Sequence, residues 1–143
     1  MVVNTRGTAE TVFLRGLVSP FFPVQVPINK GAGVETSMEQ RVKGHLCRVY
    51  GLGLVDVQEL FEIGCQTVVD TLARLRKAEA CADMLEVGEA SHMLKGTLFN
   101  MGLTELGEMA RNLELAGKGA CHDEAAKILA ELDQALAPLV SRF

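Results

Sequence analysis

A chain of 143 residues, 48% of them hydrophobic, has material for one well-buried core and little left for a second domain. Its net charge of −4 provides no basic face, which argues against a nucleic-acid partner. Aromatic residues are only 5% and tryptophan is absent, while Ala, Leu, Glu and Gly are abundant, a composition that favours an all-α bundle packed by aliphatic side chains.

Residues 1–36 differ from the rest, holding three of the four prolines (Pro20, Pro23, Pro27) and three of the six phenylalanines (Phe13, Phe21, Phe22). Arg15 and Pro20 interrupt the apolar run, and no small-x-small cleavage site follows it. No stretch approaches the roughly 20 apolar residues of a membrane span. Two readings stay open: an irregular arm laid along the bundle by its apolar residues, or a leader translated upstream of a start at Met38. Gly31-Ala32-Gly33 reads as a linker.

From residue 37 to residue 143 the pattern is helical. Ser37 can cap a first helix that carries Val42, Leu46 and Val49 on one side and ends near Tyr50, before Gly51 and Gly53. The second helix has one continuous stripe, Val57, Leu60, Phe61, Gly64, Cys65, Val68, Leu72 and Leu75, from an Asp56 cap to Lys77. Its basic end, Arg74, Arg76 and Lys77, reads as complement to the helix dipole. A third helix spans about Ala80 to Asn100. Gly102 caps it, and a fourth runs from Thr104 to Ala116, closed by Gly117 and Gly119. The last starts near His122 and continues through Leu139, ended or bent by Pro138. Short connections imply antiparallel neighbours, hence an up-down four-helix bundle with an additional N-terminal helix packed across an end or side.

Cys47, Cys65, Cys81 and Cys121 lack any Cys-x-x-Cys spacing and are expected to be reduced and mostly buried. Cys121-His122 has no second ligand pair at a standard spacing, so no metal site is expected. Among the three histidines, His92 has the most informative surroundings. On the third helix Met84, Val87, Ser91, Leu94, Leu98 and Met101 share an apolar stripe, and His92 points away from it. Gly88 and Gly96 bracket it at i−4 and i+4, although a glycine inside a helix costs about 1 kcal/mol relative to alanine. Either a partner needs close access to the ring, with Lys95 at i+3 ready to meet an anion bonded to it, or the glycines serve close helix packing. Leu85 and Phe99, two turns away in either direction, form an apolar docking patch or pack into the core.

His92-Met93-Leu94-Lys95-Gly96 followed by Asn100-Met101-Gly102 resembles the His-x-Leu-Lys-Gly…Asn-Leu-Gly signature of histidine-containing phosphotransfer (HPt) domains. Thr97 stands where that family usually has serine, and Leu98 and Phe99 are bulkier than its usual residues. The resemblance implies a phosphorelay intermediate in which His92 Nε2 takes a phosphoryl group from a receiver-domain aspartyl phosphate and passes it to another receiver. Lys95 would steady the phosphoryl charge, and Gly96, Gly88, Leu85 and Phe99 would form the receiver docking face. The partners implied are response-regulator receivers or a hybrid histidine kinase. No cofactor is expected on this chain, Mg²⁺ belonging to the receiver.

Histidine autokinases form the main rival, but their phosphoacceptor is followed by Glu or Asp and then a proline, and no glycine-rich ATP-binding region is present here. The second rival is a helical adaptor that binds signalling partners without relaying phosphate. The expected protein is a cytoplasmic monomer without autokinase activity.

Overall fold

The left-handed backbone at three connections sets the topology of this protein. The computed structural model describes residues 37–143, so the expected arm at 1–36 lies outside the described residues. Five helices follow in order: α1 (Met38–Tyr50), α2 (Leu54–Ala80), α3 (Met84–Asn100), α4 (Thr104–Lys118) and α5 (His122–Val140), with no strand among the described residues. The turns at 81–83, 101–103 and 119–121 are built alike. Ala82, Gly102 and Ala120 adopt φ of 57°, 79° and 55°. The next residue then donates its N–H five residues back: Asp83 to Ala78, Leu103 to Leu98 and Cys121 to Ala116, at 2.8 to 2.9 Å. This Schellman arrangement closes each helix and reverses the chain within three residues. A helix of 15 residues such as α4 rises about 22 Å, so a three-residue link can only join antiparallel neighbours.

α2, α3, α4 and α5 form a closed ring, each in contact with the next and α5 with α2, while α1 lies against α2 and α5. The core is aliphatic: Leu72 and Leu75 from α2, Leu94 and Leu98 from α3, Leu113 from α4, and Leu132, Leu136 and Leu139 from α5 are fully buried. Val42 and Leu46 attach α1 to it, but Val49 of the expected α1 stripe is exposed. Phe61 is also buried, with Lys43 and Arg142 over its ring, and Glu39 receives hydrogen bonds from both cations.

Several boundaries correct the expectation from sequence. α2 is capped by Gly53 rather than by Asp56, starts at Leu54 and continues past Lys77 to Ala80. α3 begins at Met84, where Asp83 Oδ1 accepts from the Glu86 N–H at 3.1 Å. Gly117 lies inside α4, which ends at the Ala120 turn. Pro138 falls in the last turn of α5, where its missing N–H deprives only the Gln134 carbonyl, and the helix runs on to Val140. Only Cys65 is buried; Cys47, Cys81 and Cys121 are exposed at helix ends, where no core position requires them. The basic end of α2 does more than face a dipole. Arg74 grips Glu86 of α3 through two bonds of 2.7 and 2.9 Å, and Arg76 grips Asp133 of α5 through bonds of 2.7 and 3.1 Å.

The turns yield a stability prediction. Alanine in the left-handed region costs roughly 1 kcal/mol that glycine avoids, so Ala82→Gly and Ala120→Gly should each raise the midpoint of thermal unfolding by a few degrees. Gly102→Ala should lower it by more than those gains. It adds the same strain and puts a Cβ 2.4 Å from Cγ of His45. Circular-dichroism melting of the three variants checks both signs.

Candidate functional site: a carboxylate beneath an exposed histidine

α3 and α4 approach backbone to backbone. A Cβ on Gly117 would lie 2.7 Å from the Gly88 nitrogen and 2.9 Å from its Cα, so only glycine fits on the α4 side. Gly88 is itself buried there. The glycine one turn before His92 therefore lies in the helix contact and offers no face to a partner, correcting its assignment to a docking surface. The close approach positions the next turn of α4 beneath His92.

Glu114 occupies that turn, and its side chain is only 6% exposed. An ionised carboxylate this buried requires donors, and it has three. Lys118 Nζ donates to Oε1 at 2.8 Å, Lys95 Nζ to Oε2 at 2.8 Å, and His92 Nδ1 stands 3.1 Å from Oε1. The Lys118 bond, then the Lys95 bond, hold the carboxyl down to about 2 against the upward push of burial, with the His92 bond adding to the effect. Glu114 is thus ionised at any working pH.

That charge fixes the imidazole. An ionised carboxylate only accepts hydrogen bonds, so the proton of the neutral ring sits on Nδ1 and the lone pair on Nε2. With 67% of the His92 side chain exposed, the nitrogen remote from Glu114 is available to an incoming electrophile. The ring is anchored at one nitrogen and nucleophilic at the other.

The remaining expected residues divide. Lys95 is part of the site but is engaged with Glu114 and 24% exposed, so it is no freely solvated cation. Gly96 is exposed, and a Cβ there would meet nothing within 4 Å. Leu85 is 75% exposed, beside a surface groove lined also by Arg74, Lys77, Cys81 and Glu89. Phe99 is half-buried against α4, where a Cβ on Gly107 would meet its ring at 2.8 Å. Of the four docking-face residues, Gly96 and Leu85 are open, while Gly88 and Phe99 serve the α3–α4 contact. His45 packs on Gly102, and burial with the Arg48 charge lowers its pKa. His122 Nε2 lies 3.1 Å from the Glu79 carbonyl, joining the ends of α2 and α5.

Glu114 and Lys118 escape a reading centred on α3, but α4 holds a signal. Glu114 lies one turn after Ala110, next to Leu113 and one turn before Gly117, on the buried stripe. A carboxylate in that phase needs donors from the facing helix. Among the described residues no group of three or more His, Cys, Asp or Glu side chains is placed to hold a metal ion, and no helix is long and apolar enough to cross a membrane.

The depressed carboxyl has a pH signature. A group whose pKa falls from 4.5 to about 2 on folding adds stability that is fully present above 4.5 and disappears as pH drops through 2. Glu114→Gln should therefore melt below the wild type at pH 7, with the gap narrowing between pH 4.5 and 2. Melting temperatures of the two proteins across that range measure it; a constant gap would contradict the three-donor account.

No curated protein and no solved structure matches this chain. The sequence model of the Hpt domain matches residues 59–141, from the first turns of α2 to the end of α5, and the segment contains His92, Lys95, Glu114 and Lys118. With more than half of its length covered by that match, and with the helical bundle in which it lies, the chain belongs to the Hpt domain family.

Proposed function

We propose that this protein is a phosphorelay intermediate that carries a phosphoryl group on Nε2 of His92 between receiver domains. The observation that carries the reading is the His92 Nδ1 contact with buried Glu114, on a ring that is otherwise largely exposed. In the forward step the Nε2 lone pair attacks phosphorus, the bond to the donor aspartate oxygen breaks, and the carboxylate leaves with the electron pair. The Nδ1 proton stays in its bond to Glu114, which stabilises the positive charge that develops on the ring. The return step runs the same path to a second aspartate.

Phosphoryl transfer spreads charge over three equatorial oxygens, and catalysis rests on position and electrostatic stabilisation. Lys95, one turn from His92, is the cation assigned to that charge. Gly96 leaves the surface beyond the ring open, as the approach of a receiver requires. The Mg²⁺ of aspartyl-phosphate chemistry is assigned to the receiver. Transfer starts from an aspartyl phosphate and not from ATP, so the protein acts without autokinase activity, in the cytoplasm where receivers and hybrid kinases act.

Incubation of the protein with a panel of phosphorylated receiver domains tests this. Acid-labile, base-stable label should accumulate on the wild type and be absent from His92→Gln. If every receiver of the same cell leaves the wild type unlabelled yet some bind it, the bundle acts as an adaptor.

A further inference from the structure

Glu114 holds more positive charge than it needs. Its single negative charge faces two ammonium groups and a ring N–H, so the unloaded site has a surplus of one positive charge when His92 is neutral. The two lysines are not equivalent. Lys95 is 24% exposed and bonds the oxygen that His92 does not use. Lys118 is 66% exposed, lies at the last residue of α4, and bonds the same oxygen as His92, Oε1. Its ammonium is therefore next to the imidazole and has solvent room to move. If it departs, Glu114 keeps Lys95 and the His92 N–H as partners, so a buried charge is not abandoned.

We propose that Lys118 is a second phosphoryl-binding cation, which leaves Glu114 for the phosphoryl oxygens when His92 is loaded. The inference rests on the phosphotransfer reading of His92. A phosphoryl group brings roughly two negative charges while the ring, keeping its Nδ1 proton, gains one positive, so loading adds a net negative charge that matches the surplus of the unloaded site, and Lys118, the more exposed of the two lysines, is the one free to follow it. Loading then exchanges one ion pair for another without opening the helix contact: Lys95 and the His92 N–H keep Glu114 paired, Lys95 acting on the phosphoryl charge from that position, and Lys118 moves outward.

Phosphoramidate provides a small donor that needs no receiver. His92 Nε2 attacks phosphorus, the donor's N–P bond breaks and ammonia leaves, while the Nδ1 proton remains with Glu114. The full chain is loaded as wild type, Lys118→Ala, Lys118→Arg and His92→Gln, and phosphohistidine is followed by ³¹P NMR across pH. A neighbouring ammonium favours the dianion, so Lys118→Ala should raise the phosphoryl titration midpoint by about half a unit or more, and load severalfold more slowly. Lys118→Arg should restore the midpoint, an effect that a merely structural role would not produce. An unchanged midpoint in Lys118→Ala overturns the proposal, even if loading slows, because Lys118 then acts only through Glu114. A wild type that takes no label on His92 overturns the phosphotransfer reading and this inference with it.

Discussion

A carboxylate placed between two packed helices must either lose its charge or be surrounded by donors. Glu114 takes the second course, and much of the α3–α4 pair follows from it. The contact of Gly117 with Gly88 sets the helices close enough for the carboxylate to reach across. Lys95 and His92 descend from α3 to meet it, and Lys118 reaches back from the next turn of α4. The histidine is held at Nδ1 by a group that stays ionised, so in the neutral ring the lone pair lies on Nε2. A ring anchored at one nitrogen and largely exposed elsewhere is thereby produced by a burial problem and its solution.

The other helices hold this pair in place with small local devices. The turn at 101–103, with Leu103 bonded back to Leu98, fixes the phase of α4 relative to α3, and both leucines are buried. Two arginine–carboxylate pairs join α2 to α3 and to α5, the Arg76–Asp133 pair through a fork of two nitrogens, and His122 links the ends of α2 and α5. Exposed ion pairs contribute little stability each, typically ~0–1 kcal/mol, so their value here is in register. The aliphatic core provides the cohesion, and the fork geometry selects which helix faces meet.

Much of this was legible in the chain. The apolar stripes of α2, α3 and α5 gave their number, order and buried faces, because a 3.6-residue period follows directly from one-sided burial. The phase of α3 put His92 outward, and the His-x-x-Lys-Gly spacing singled it out. What stayed hidden has specific physical causes. The turns at Ala82 and Ala120 put alanine where glycine is usual, so the end of α2 carried no glycine marker. Gly88 could equally serve access or packing, and only the partner residue Gly117 decides. Phe99 was ambiguous for the same reason, its counterpart being Gly107 on another helix. Glu114 was visible only as a charge in an apolar phase. Its meaning depends on which side chains of α3 lie above it, a long-range fact that periodicity does not encode.

The central claim is that Glu114 sets the protonation of His92. Nitrogen-15 NMR of the imidazole at a pH where it is neutral reads this directly. The account predicts a ring protonated at Nδ1 with a free Nε2 in the wild type, and a substantial shift toward the Nε2-protonated form in Glu114→Gln, whose amide nitrogen can donate to Nδ1. A wild-type ring already protonated at Nε2, or one indifferent to the loss of the carboxylate, would contradict it.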